Sequence, residues 1–186
     1  TSDYEGTELV RESQFTDLPA YIKFGQNEQL GTSELAVWMA LNMKFDPNMG
    51  FTLIRTEPDN LGHIHYRYQQ TYYGKPIEDA IWIAHTNNGK VYSVNGMIYS
   101  KLVAPTTASL SEEASLEKAL EFVGADTYKW ELAGEERHLK WESGDEDATY
   151  MPTGELVFIA STNNFNAHSY RLAYKFNVYA HAPLYR

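Results

Sequence analysis

From Ile64 to Tyr72 the chain alternates: Ile64, Tyr66, Tyr68 and Tyr72 point one way, and His63, His65, Arg67, Gln69 and Thr71 the other. That period of two predicts a strand with one buried face, on which Gln70 is the one polar residue. Tyr73, Gly74 and Lys75 supply turn chemistry before Pro76. Ile77 then opens a second extended run, with Ile81 and Ile83 alternating with Ala80, Trp82 and Ala84. Asn87, Asn88 and Gly89 can all adopt positive φ, so they predict a hairpin onto Val91, Tyr92 and Val94, and Asn95 with Gly96 turns the chain again. Three antiparallel strands in succession are expected.

Elsewhere the period lengthens. Leu35, Trp38, Met39 and Met43 recur at threes and fours, which predicts a helix capped by Thr32 or Ser33, running to about residue 45 and stopped by Asp46, Pro47 and Asn48. Phe51, Leu53 and Ile54 start an extended segment, and residues 57–60 form a turn. Such a helix covers one face of the meander. Residues 1–31 are polar, with Leu18, Pro19, Tyr21, Ile22 and Phe24 as their apolar cluster, and are expected to form an arm that packs late. Ser111 as N-cap, Glu112 and Glu113 in the first turn, the stripe Leu116, Ala119, Leu120 and Val123, and Gly124 as stop predict a second helix. Residues 134–147 carry charge without a pattern and are expected as a solvated acidic loop. Residues 154–161 and 170–180 alternate as strands.

The central stretch resembles the fungalysin/thermolysin propeptide domain, a module in the pro-region of secreted zinc metalloproteases. The residues that carry the resemblance are His65, Arg67, Tyr68, Gln70, Tyr72, Gly74, Pro76, Ile77, His85, Asn88, Gly89, Ser93, Asn95 and Gly96, with their spacing in register. Asp79 departs from the pattern, which usually has a small residue there, so the local turn is expected to differ. One helix followed by strands after residue 111, with the phrase Tyr170 to Phe176, is similar to the PepSY module of the same precursors. The expected organisation is therefore α+β: two small subdomains, each an antiparallel sheet packed by a helix. An arm occupies 1–31, a propeptide-like domain 32–103, a linker 104–110, and a PepSY-like domain 111–186, truncated at its end. His65, Arg67, Gln70, Gly74, Pro76, His85, Gly89, Asn95 and Gly96 are expected to be structural members of the motif.

Composition narrows the partners. With 25 acidic and 15 basic residues the net charge is -10, which repels phosphate and so argues against nucleic acid and anionic membranes. Fourteen tyrosines suit half-buried sheets, where the ring packs and the hydroxyl stays wet. The absence of cysteine excludes a disulfide framework and a thiolate site. A chain that starts at Thr1 is expected if a signal peptide has been removed, which together with the resemblance points to a secreted or periplasmic bacterial precursor.

Candidate chemistry is sparse. Thermolysin-type hydrolysis needs H-E-x-x-H, so that two imidazoles one helical turn apart reach one zinc, and the sequence has none. Of the six histidines, His63 and His65 share a strand face on which both could meet a metal with His85. An intrastrand pair without a carboxylate neighbour is more often solvated or hydrogen-bonded than ligating. Glu112 with Glu113, and residues 145–147, lack the apolar setting that would tune a carboxylate pair. The resemblance implies a binding protein rather than an enzyme: a pro-region that templates folding of a metalloprotease domain and occludes its cleft, with zinc belonging to that absent domain and no cofactor in this chain. His181, Ala182, Pro183, Leu184, Tyr185 and Arg186 are the candidates for contact with the protease, a connector being the alternative. A free-standing secreted protease inhibitor or peptide-binding module is the other class that fits.

Overall fold

The computed structural model describes residues 4–161 and 164–182. The chain divides into two compact units, one of residues 1–106 with 157–172 and one of 107–156 with 173–186. The division after residue 106 falls inside the stretch expected as linker, but residues 157–172 belong with the first unit.

The first unit holds β1 (Thr7–Glu12), β2 (Pro19–Phe24), β3 (Leu30–Gly31), α1 (Thr32–Met43), β4 (Met49–Pro58), β5 (Ile64–Tyr72), β6 (Lys75–Asn87) and β7 (Lys90–Gly96). The sheet runs β1-β2-β7-β6-β5-β4, every neighbour antiparallel, and β3 also pairs with β7. Both hairpins of the meander close through two residues with positive φ: Tyr73 (49°) with Gly74 (72°), and Asn88 (49°) with Gly89 (74°). Two successive left-handed residues match the twist of the flanking strands, which is why turns this tight form here.

One sheet face carries the core. Leu35, Trp38, Met39 and Met43 of α1 pack on Ile22, Phe24, Trp82, Ala84, Val91 and Val94, with Tyr66 and Tyr68 at the margin. The helix is therefore fixed by its apolar face, as the spacing predicts. Its N-cap is Gly31 rather than Thr32 or Ser33, and the Glu34 carboxylate reaches back to accept from the Gly31 N–H. The residues expected as an N-terminal arm contribute β1 and β2 to the sheet. Leu18, Ile22 and Phe24 are buried, and β2 pairs with β7 through Tyr21↔Asn95, Ile22↔Val94 and Lys23↔Ser93. Ile22 and Phe24 have the period-two spacing of a strand, but only the open edge of β7 supplies a partner for it.

A second cluster of Tyr72, Ile77, Ala80, Tyr99, Leu102, Phe158 and Tyr170 lies at the start of β6. It recruits β9 (Glu155–Ala160), which meets β6 in parallel at Ile77↔Phe158, and β10 (Tyr170–Lys175), which pairs with β9. The residues predicted as two strands of a second subdomain thus lie partly on the first sheet. The α+β class stands, with a 9-stranded and a 2-stranded sheet.

The second unit contains α2 (Glu112–Val123), β8 (Thr127–Tyr128), α3 (Ala133–Ser143) and β11 (Ala180–Ala182). The α2 ends are those expected: Ser111 accepts from the Ala114 N–H, and Gly124 (φ 59°) donates to Leu120 O. The expected acidic loop is instead α3, ended by Gly144 at φ 67°. Glu, Arg, Leu and Lys favour helix individually, and the segment escaped notice because it has no apolar stripe. The predicted strand over 170–180 splits, and its tail β11 pairs with β8 through Ala180↔Tyr128 and Ala182↔Thr127. Tyr128 anchors this ladder, stacking on Trp130 at 4.4 Å and donating to Leu120 O at 2.9 Å.

Candidate functional site

The motif residues fall into two groups, one inside the sheet and one on the face turned away from α1. Inside, Gln70 is fully buried. Its Nε2 donates to Tyr99 O (2.7 Å) and its Oε1 accepts from Tyr99 N–H (2.9 Å), so a side chain reproduces the two bonds of a strand pair. Tyr99 in turn donates to Phe165 O and meets the Tyr170 hydroxyl, each at 2.8 Å. Burial, with the Tyr170 contact, pushes the Tyr99 phenol far above its usual range.

Opposite Gln70 the β5–β6 register slips: Gln69 pairs with Ile81 and Thr71 with Pro76, so residues 77–80 bulge. Asp79 sits at φ 66° in this bulge. Gln69 Nε2 donates to Ile77 O (2.7 Å) and Ala80 O (3.1 Å), carbonyls that the bulge takes out of the ladder. The slip also shifts the alternation, so that Ile77, Ala80, Trp82 and Ala84 are all fully buried. Gly74 and Gly89 close the hairpins and Pro76 pairs with Thr71, while Gly96 lets the backbone of β7 approach Ile81.

On the other face the motif's polar members line up across the strands. His65 of β5 lies directly opposite His85 of β6, which lies opposite Ser93 of β7; one row along, Arg67 faces Ile83, and Ile83 faces Asn95. His65 Nδ1 and His85 Nδ1 are 2.7 Å apart. His85 Nε2 meets Asn95 Oδ1, and His65 Nε2 lies 3.3 Å from Asp59 Oδ2. The same carboxylate oxygen is 3.1 Å from His63 Nδ1. Tyr92 lies beside this row, its ring 5.6 Å from that of His63 and 6.2 Å from that of His85.

Asp59 is the residue that sequence reasoning missed. The pattern around His63 and His65 shows no carboxylate neighbour, and the turn at residues 57–60 brings one to them. In the fold, Asp59 Oδ1 accepts from Leu61 N–H (2.8 Å) and His63 N–H (2.9 Å), which clasps the β4–β5 connection and aims Oδ2 at the imidazoles. The signal was present: an Asp that starts a turn commonly accepts from the N–H two residues on. Burial works to raise its pKa, but the backbone bonds from His63 and Leu61 and the ring contacts of His65 and His63 outweigh it, and the group is held at about 2.

The sign of the pH effect follows. A carboxyl depressed from 3.8 to about 2 contributes stability that is present above 3.8 and fades as pH falls through about 2. Asp59→Asn should therefore lose part of the acid limb. Chemical denaturation from pH 5 downward would show the gap between wild type and variant closing below 3.8; a gap independent of pH would refute the assignment.

A cavity of about 360 Å³ lies between α1 and the sheet, lined in part by Leu35, Met39, Phe45, Phe51, Tyr68 and Trp82. Among the described residues Trp82 Nε1 is the buried side-chain polar atom left without a hydrogen-bond partner. Of the C-terminal candidates, His181 is exposed on β11 with Nδ1 3.9 Å from Glu135 Oε1, while Pro183, Leu184, Tyr185 and Arg186 lie outside the described residues. Among the described residues no group of three or more His, Asp or Glu converges to hold a metal, and His63 turns to Asp59 instead of joining His65 and His85. Glu112 serves structure, accepting from Gly154 N–H at 2.7 Å.

Residues 50–98, which span most of β4 to β7, match the family described as the Fungalysin/Thermolysin Propeptide Motif. Among its relatives, the bacillolysin of Bacillus subtilis (strain 168) is 37% identical over 78 residues, which are 41% of this chain and 15% of that protein. The thermolysin of Bacillus caldolyticus is 37% identical over 51 residues, 27% of this chain and 9% of that protein. The bacillolysin of Bacillus amyloliquefaciens is 32% identical over 84 residues, 44% and 16% of the two chains. The chain thus spans at most 16% of the length of these relatives. No helix among the described residues is long and apolar enough to cross a membrane.

Proposed function

We propose that this chain is the pro-region of a secreted zinc metalloprotease of the thermolysin type, and that it acts as intramolecular chaperone and inhibitor of the protease domain. The observation that carries the proposal is the family match over residues 50–98, which is the centre of the sheet: strands β4 to β7 with their turns. Its work is binding, not catalysis. The sequence lacks H-E-x-x-H, and the zinc chemistry belongs to the protease domain. An inhibitor tethered to its target needs little intrinsic affinity, because its local concentration is of about millimolar order, and cleavage releases it by dilution. The second unit is proposed as the PepSY-like part of the same pro-region, and the segment from His181 to Arg186 as the run toward the protease cleft.

The test is refolding in trans. The coding sequence beyond Arg186 should encode a domain with H-E-x-x-H and a further Glu ligand. That domain, denatured and diluted, should recover activity with this chain present and little without it. Equal recovery with and without the chain removes the chaperone role. A coding sequence without such a domain removes the pro-region proposal and leaves a free-standing inhibitor.

A further inference from the structure

We propose that the cavity between α1 and the sheet binds a small organic ammonium ion, with its apolar group among aromatic rings and its charge at Asp46. The argument rests on this cavity and is independent of the pro-region proposal. Its volume of about 360 Å³ lies at the small end of the range of about 300–1,000 Å³ usual for ligand pockets, which suits a small free molecule. The lining comes from the first unit: α1, the connection to β4, and strands β4, β5 and β6. Four of the residues are aromatic. Phe45 and Phe51 meet edge to face with ring centroids 5.4 Å apart, Trp82 is fully buried, and Tyr68 packs at the margin of the core. Burial, with Tyr66 nearby, pushes the Tyr68 phenol above its usual range, so that ring stays neutral and adds no negative charge.

Asp46 is the one charged residue of the lining, and no basic residue lies beside it there. Hydrogen bonds fix its place. Its N–H donates to Ser100 O (2.8 Å), and its Oδ1 accepts from Asn48 N–H (2.8 Å) and from Asn48 Nδ2 (2.9 Å). Its Oδ2 has no hydrogen-bond or ion-pair partner among the described residues. An aromatic ring attracts a cation over its face, and a carboxylate attracts it by charge, so this set selects for positive charge on an apolar body. An anion would meet Asp46 with no counter-charge, and a neutral apolar molecule would gain burial alone. A bare, strongly hydrated cation fits poorly, because an apolar wall offers nothing to replace its water. A substituted amine keeps its charge and sheds little hydration.

Isotope labelling of the methionine methyl groups lets NMR read this in the full chain, since Met39 and Met49 line the cavity and Met151 lies in the second unit. Benzyltrimethylammonium chloride should shift both cavity methyls and saturate at one ion per chain, with Met151 unmoved. Benzyl alcohol should bind at least about fivefold more weakly, and benzoate should not bind measurably. The tripeptide amide Phe-Ala-Ala, with an ammonium group and a ring on a longer chain, should also bind more weakly than the free ion. Asp46→Asn keeps the acceptor for Asn48 N–H and drops the charge, so it should weaken the ammonium ion by about fivefold and leave benzyl alcohol unchanged. Ala40→Phe, at an exposed position of α1 that lines the cavity, should block both. Glu142→Gln, a carboxylate of the second unit, should change nothing. Where Asp46→Asn fails to fold, the three benzyl compounds on the wild type still decide. No shift at Met39 and Met49, or equal affinity for benzyl alcohol, overturns the proposal, and a tripeptide that binds as tightly as the free ion overturns it in favour of a peptide end.

Discussion

Gly96→Ala should cost about 4 kcal/mol or more of stability, in the range reserved for backbone strain inside a packed core. A Cβ at Gly96 would lie 1.9 Å from Ile81 O, 3.0 Å from Ile81 C and 3.1 Å from Trp82 Cα, all backbone atoms that no rotamer change can move aside. The φ of 149° adds strain for any L side chain. To relieve the clash β7 must part from β6, breaking the Met97 N–H to Ile81 O bond that follows the Trp82↔Gly96 pair. Trp82 and Ile98, both fully buried in the core under α1, would move with it. Gly89→Ala is the control. Gly89 also has positive φ, but nothing lies within 4 Å of its missing Cβ, so only the conformational penalty of about 1 to 2 kcal/mol applies. Denaturant unfolding of the two variants separates close approach from φ preference. Equal losses would show that the close approach at Gly96 does not matter.

Gln70→Leu should destabilise by about 2 to 5 kcal/mol although the new side chain is apolar and similar in size. The loss falls on Tyr99, whose buried N–H and C=O are left unpaired at about 1 to 3 kcal/mol each. Gln70→Glu refines the test. An ionised carboxylate still accepts from Tyr99 N–H but cannot donate to Tyr99 O, and its charge is buried. The protonated form restores the donor. Burial raises the folded-state pKa of such a group, so this variant should gain stability relative to wild type as pH falls through the raised value. Thermal unfolding at two pH values decides it: a Glu variant whose deficit is the same at both would refute the clamp as the source of stability.

Both variants touch residues visible in the sequence for reasons that were not. Gln70 stood out as the polar residue on an apolar strand face, which signals a buried bond. Its partner lies 29 positions away at Tyr99, beyond two hairpins, and no local pattern points there. Gly96 was seen as part of a turn, yet its need for glycine comes from the approach of Ile81. The histidine row is similar. Alternation placed His63 and His65 on one face and raised His85 as a third member, but which nitrogen meets which depends on register. Asp59 enters only because the turn that closes β4 onto β5 folds its carboxylate back.

By itself the sequence determined what local periodicity and local backbone preference control. That includes β5 from Ile64 to Tyr72, the two hairpins at Tyr73-Gly74 and Asn88-Gly89, the buried face of α1, and α2 between Ser111 and Gly124. These follow from which side chains can share a face and which residues tolerate positive φ, both properties of neighbours along the chain. The tertiary structure decided the rest. Residues 19–24 became a strand on the open edge of β7 and residues 7–12 a strand on theirs, and residues 157–172 joined the first unit, where Phe158 packs with Ile77 and Tyr72. Residues 133–143 are the exception, for α3 forms on helix propensity, a local property of the sequence, without an apolar stripe to announce it. Pairing between distant strands is chosen by complementary edges and faces brought together on folding, and that choice is made by the fold as a whole.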